Sequence, residues 1–144
     1  MTYATLDQLT ERFGEQLLVQ LTDRARPSAG EIDAAVVERT LVDTDSVIDG
    51  YLATRYRLPI EGEAPQLLVD LALVIAIYKL HPYQPDQKIA DDYKDALRQL
   101  RDISSGVIRL VGVAGTEPQG SGAGGVQFSD RPRDLTPDNL KGFI

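Results

Sequence analysis

This chain of 144 residues contains no cysteine. That excludes disulfide scaffolds and any zinc site built on thiolates. It contains one histidine, His81. A histidine base needs a nucleophile or second titratable group beside it, and there is no thiol to pair with and no Gly-x-Ser-x-Gly elbow. Basic runs are lacking as well. Fifteen Lys and Arg stand against 22 Asp and Glu, for a net charge of −7 and a pI near 4.6. An acidic chain with no basic block lacks the electrostatic footprint of sequence-independent nucleic-acid binding. The longest apolar stretch, residues 67–78, is interrupted by Asp70 and is too short to span a bilayer. Met1-Thr2-Tyr3-Ala4 has neither the basic start nor the apolar run of a secretory signal. The expectation is a protein made in a cytoplasm, with no membrane partner.

What is present divides the chain. Residues 1–111 carry 12 basic and 18 acidic side chains and are long enough for a single core. Residues 112–125 follow, with six glycines in fourteen positions. So little side-chain surface cannot offset the entropy of ordering the segment, so it reads as a linker. Its Gly120-x-Gly122 has no Lys and no helix pattern after it, which argues against a phosphate loop. Residues 126–144 then turn apolar in spots, at Val126, Phe128, Leu135, Leu140, Phe143 and Ile144, with Arg131 and Arg133 between. The expected organisation is a body (1–111), a linker (112–125) and a docking arm (126–144).

Within the body the apolar periodicity is helical. Thr5 and Gln8 form a capping-box pattern before Leu6, Leu9 and Phe13, and Gly14 ends that helix. Residues 15–21 make a second short helix with Leu17, Leu18 and Leu21 inward. Asp33 is placed to cap a long helix whose Val36, Val37, Leu41, Thr44, Val47, Ile48, Tyr51, Leu52 and Tyr56 recur at three-four spacing. After a connector (57–64) containing Pro59 and Gly62, Pro65 opens a helix over 66–80 that is apolar nearly all round and therefore central. His81-Pro82-Tyr83-Gln84-Pro85 stops it. Asp86 is expected to cap a third long helix with Ile89, Tyr93, Leu97, Leu100 and Ile103 inward, ended by Ser104-Ser105-Gly106. The fold class is all-α: a small antiparallel bundle of two short and three longer helices, with short β-prone runs at 107–111 and 126–129.

The search for chemistry yields little. His81 reads as a helix-end residue favoured by the dipole. Asp45 and Asp49 share a helix face but lack a third ligand, so they read as a solvated acidic face rather than a metal site. The loop from Asp23 to Asp33 resembles a calcium loop only in outline, because its third and fifth positions are Ala25 and Pro27. Asp70, within the most apolar helix, must face outward, pair with a basic side chain such as Arg55 or Arg57, or sit in a subunit interface. The tyrosines 51, 56, 78, 83 and 93 read as core packing with hydroxyls at the rim. No catalytic residue, cofactor or metal is expected, and no carboxylate pair suits an acid–base hydrolase.

The order of signals carries a resemblance. Tyr3-Ala4-Thr5-Leu6-Asp7-Gln8-Leu9, Arg12-Phe13-Gly14 and Leu21-Thr22-Asp23-Arg24 open the pattern. Ile32-Asp33, Val36-Val37-Glu38-Arg39 and Ile48-Asp49-Gly50-Tyr51-Leu52-Ala53-x-Arg55-Tyr56-x-Leu58-Pro59 continue it. Tyr93-Lys94-Asp95-Ala96-Leu97-Arg98-x-Leu100-Arg101-Asp102-Ile103, Gly125-Val126-Gln127-Phe128-Ser129-x-Arg131-Pro132-Arg133 and Asp138-Asn139-Leu140-x-Gly142-Phe143 complete it. Over essentially its whole length the chain resembles a Mu-like phage and prophage family, itself similar to the head-tail connectors of tailed phages. The loop 25–30 departs from that pattern in lacking acidic residues.

The resemblance implies a structural virion protein of the neck. It would form a homo-oligomeric ring, dodecameric if it matches the portal, and contact the portal and the next neck, stopper or tail-terminator protein. DNA would pass its channel without specific binding. The arm residues Val126, Phe128, Arg131, Arg133, Leu135, Leu140, Phe143 and Ile144 would dock on the portal. Glu38, Asp45, Asp49, Arg55, Arg57, Asp70 and Arg98 are candidates for contacts between subunits. The rival expectation is a viral binding or assembly-chaperone module absent from the finished virion.

Overall fold

Thr5 begins the first helix as its sequence pattern requires. In the computed structural model, which describes residues 2–111, its hydroxyl accepts from the Gln8 backbone N–H while the Gln8 side chain accepts from the Thr5 N–H. Helix α1 runs Leu6–Phe13, and Gly14, at φ 88°, turns the chain directly into α2, Glu15–Thr22. Helices α3 (Ala34–Leu52), α4 (Gln66–Leu80) and α5 (Gln87–Ser105) follow. The described residues form an all-α small bundle and contain no strand. The residues of the arm, 126–144, and of the linker before it lie outside the described region, as does any β segment at 126–129. The β-prone run 107–111 lies within it and forms no strand.

Asp33 caps α3, accepting from Ala35 and Val36 N–H at 3.0 and 3.3 Å. Asp86 stands at the same position of α5, but its side chain makes no capping hydrogen bond, contrary to the sequence expectation. Gly106 ends α5 in the left-handed conformation, at φ 84°.

Helix α4 packs against α1, α3 and α5, which is why it is apolar nearly all round. Nine of its fifteen residues are buried. Leu68, Ile75, Ile77 and Leu80 are among the fully enclosed side chains, with Leu9, Leu18, Ile48, Leu52, Leu100 and Ile103. The fully buried Thr22 donates to Leu18 O and accepts from Asp33 N–H, which fixes the entry to α3. The aromatic rings of Tyr78 and Tyr93 stack across α4 and α5, with centroids 3.9 Å apart and planes 2° from parallel. Tyr56 is buried and its hydroxyl accepts the Leu110 N–H at 3.2 Å, so the chain leaving α5 is tied back to the end of α3. Tyr83 is 87% exposed, which corrects the expectation that it packs in the core: the turn after α4 holds it off the bundle.

Candidate interaction surface

The N-terminal segment and the 57–64 connector meet over the last turns of α3. Tyr3 is the hinge of this arrangement. Its backbone N–H donates to Asp45 Oδ1 at 3.1 Å and its hydroxyl donates to Asp49 Oδ1 at 2.5 Å. The i,i+4 spacing of the two carboxylates on α3 lets one residue bridge both. Burial first, and then the bond to Asp49 and the negative charges around it, push the Tyr3 hydroxyl well above its ordinary pKa. Asp45 is also raised, chiefly by desolvation. The Tyr3 N–H opposes the shift, and the charge of Asp49 adds to it. Asp45 and Asp49 are therefore not the solvated acidic face that spacing alone suggested. They are half-buried acceptors that hold the start of the chain. Nothing local marks this: Tyr3 lies 42 and 46 positions from its two partners.

Beside this junction lies a cavity of about 410 Å³, lined by Thr2, Tyr3, Asp49, Pro59, Ile60, Glu61, Gly62 and Ala64. Its walls are mostly apolar, and its two titratable lining groups besides Tyr3 are both carboxylates. A second hollow, between α1, α4 and α5, is rimmed by charges: Arg12, Asp70, Lys88, Asp92 and Asp95. There Asp70 faces outward and meets Arg12 at 3.4 Å, with both side chains about half exposed. Its partner comes from α1, not from Arg55 or Arg57. Among the described residues no group of three or more His, Asp or Glu side chains could hold a metal ion.

Residues 3–128 match the sequence model of the family described as Bacteriophage Mu, Gp36. The chain belongs to this family. The match spans the helical body and continues beyond it to Phe128. Gene product J of Escherichia phage Mu is 38% identical over 106 residues, 74% of each chain. The Mu-like prophage FluMu protein gp36 of Haemophilus influenzae is 30% identical over 142 residues, covering 99% of this chain and 98% of that one. The Mu-like resemblance in the sequence is thereby established as kinship. No helix among the described residues is long and apolar enough to cross a membrane.

In this Mu-family chain the candidate subunit contacts fall on several elements. Glu38 is exposed on α3 and Arg57 is exposed on the connector. Arg98 is exposed on α5 and pairs with Asp95 one turn earlier, at 2.8 Å. Arg55 lies against Gly106, and its buried Nε has no hydrogen-bond partner. A Cβ at Gly106 would collide with Arg55 Nη1, so any side chain there requires the guanidinium to shift. The loop after α2 is organised by Asp23, which accepts from Ala25 N–H, Ser28 hydroxyl and Gly30 N–H. The bond from Ser28, then that from Gly30, holds its carboxyl below the usual range. Internal hydrogen bonds thus use the carboxylate that a calcium loop would need. The sequence also did not foretell that Val107 and Val111, beyond the end of α5, would be 76% and 87% exposed. Their alternation with Ile108 and Leu110, which turn inward, was the available signal.

Proposed function

We propose that this chain is a head-tail adaptor: a structural subunit of a ring between the portal and the rest of the neck or tail of a Mu-like phage or prophage. The observation that carries the reading is full-length kinship with Mu-type phage proteins of a chain whose described part is one small helical body. A ring needs heterologous contacts that close, and therefore two different faces on each subunit. Exposed groups of opposite sign, Glu38 against Arg57 and Arg98, supply complementary charges for such faces. Asp70 and Arg12 can exchange their half-exposed pairing for one with a neighbour at little cost. Asp45 and Asp49 serve the subunit itself by holding Tyr3. The net negative body repels DNA in transit through the ring.

In this reading residues 126–144 dock on the portal through Val126, Phe128, Leu135, Leu140, Phe143 and Ile144, with Arg131 and Arg133 as charged contacts. Val107 and Val111 are exposed in the last described stretch of the chain before that segment in sequence. The protein acts by binding rather than by catalysis. Two measurements test this. Mass spectrometry of purified particles should find the chain in the virion, and truncation after Val111 should abolish binding to the portal. Absence from finished particles would favour an assembly module that leaves before completion, and intact portal binding after truncation would remove the role of the arm.

A further inference from the structure

The cavity beside Tyr3 has a particular chemistry among the described residues that line it. Tyr3, Pro59, Ile60 and Ala64 give it apolar walls. Asp49 and Glu61 are among its lining residues, and Glu63 lies exposed on the same connector. At about 410 Å³ it is at the small end of ligand-sized pockets, suited to one or two side chains rather than a cofactor. Arg57, the basic residue of the connector, is not among the lining residues.

The last described residues are tied to the end of α3 that precedes the connector. Leu110 is buried and bonded to Tyr56, three positions before Pro59 in sequence. Beyond Val111 come fourteen Gly-rich residues, with an end-to-end reach of about 20 Å if they behave as a flexible coil. Then follows Val126-Gln127-Phe128-Ser129-Asp130-Arg131-Pro132-Arg133. In extended chain Val126 and Phe128 point to the same side, and two guanidinium groups follow within five residues of Phe128. An apolar pair followed by two cations matches a mostly apolar cavity whose lining includes the carboxylates of Asp49 and Glu61.

We propose that residues 126–133 of the same chain occupy this cavity in the free subunit, with Val126 and Phe128 inside and Arg131 and Arg133 against the carboxylates of Asp49, Glu61 and the neighbouring Glu63. A linker this short gives an effective concentration in the millimolar range, so even a weak contact is populated within one molecule before a second copy competes. The consequence rests on the adaptor reading: the arm is parked on its own body and is released when the portal offers a better surface.

Hydrogen exchange of the full-length protein, read by mass spectrometry at low and high protein concentration, tests the contact. Peptides covering 58–64 should exchange at least about fivefold more slowly in the unaltered chain than in Phe128→Ala, to the same degree at both concentrations. Ile60→Asp should remove protection from 126–133 while α5 exchanges as before. If Ile60→Asp loosens α5, the Phe128→Ala comparison alone decides. Equal exchange in the unaltered chain and Phe128→Ala overturns the proposal. So does protection that fades on dilution, which would mean a neighbouring copy, or protection lost in Phe143→Ala but kept in Phe128→Ala, which would mean the extreme terminus. The two readings fail separately. A chain found in particles whose connector ignores Phe128→Ala remains an adaptor without a parked arm. A protected connector in a chain missing from particles leaves the contact standing and removes the adaptor.

Discussion

Tyr3 donates its phenolic hydrogen to Asp49 Oδ1 at 2.5 Å across 46 positions of sequence. That bond, with the one from its backbone to Asp45, closes the N-terminal segment over α3 and builds one wall of the cavity that the 57–64 connector completes. Tyr3→Phe keeps the ring and loses the hydroxyl. It should cost about 1 kcal/mol, a charge-assisted hydrogen bond discounted for partial exposure. Urea denaturation at neutral pH measures it. An unchanged midpoint would mean the bond contributes nothing.

The same bond has an alkaline signature. Because the folded-state pKa of Tyr3 lies above that of the unfolded chain, the unfolded state releases its proton first. Stability from this group is therefore complete below about pH 10 and declines as pH rises past that value. Tyr93, also raised, mainly by burial, contributes in the same direction. Denaturation midpoints measured from neutral pH to pH 11 should fall less steeply in Tyr3→Phe than in the parent, without becoming flat.

Asp45 works in the opposite sense to a stabilising carboxylate. Its folded pKa is raised, mainly by desolvation, so stability from this group is complete below the ordinary carboxylate pKa and is lost as pH rises through the raised folded value. Asp45→Asn keeps an acceptor for the Tyr3 N–H and removes a partly desolvated charge beside Asp49. It should leave stability at pH 7 unchanged or slightly raised, with the difference vanishing in acid. A clear loss at pH 7 would show that the charge itself is needed.

Gly106 has φ 84°, and the Arg55 guanidinium stands where its Cβ would be. Gly106→Ala places a methyl group in the guanidinium and a side chain in left-handed backbone, and should destabilise by about 1–2 kcal/mol. The double variant with Arg55→Ala should recover the steric part and retain the backbone part. A thermal-denaturation cycle separates them.

Much of this body is readable in the sequence because its determinants are local. The Thr5–Gln8 box, the Asp33 cap, the Gly14 and Gly106 stops and the all-round apolar 66–80 segment each act within one or two helical turns, and each is where the pattern put it. What was hidden depends on tertiary approach. The same acidic spacing at Asp45 and Asp49 fits a solvated face or an acceptor pair for Tyr3, and only the path of the N-terminal segment decides. Asp70 sits on the exposed side of α4, and its partner is Arg12 because α1 crosses there, a fact without a sequence period. Asp86 had the right residue type for a cap, but the backbone at that turn does not bring its carboxylate to the N–H groups.

Asp70 supplies a contrast in the isolated subunit. With both partners about half exposed at 3.4 Å, Asp70→Asn should change stability by no more than about 0.5 kcal/mol. Leu68→Ala, two residues away and fully buried, should cost about 2–5 kcal/mol. Parallel denaturant titrations check both. A large Asp70 effect in the monomer would argue against its being free to serve a neighbour.

The central claim is a place in the virion neck, and cryo-electron microscopy of the intact head-tail junction tests it most directly. The account expects helical bodies of this chain arranged in a ring against the portal, with residues 126–144 in contact with portal subunits. A resolved neck containing no copy of this chain would contradict it.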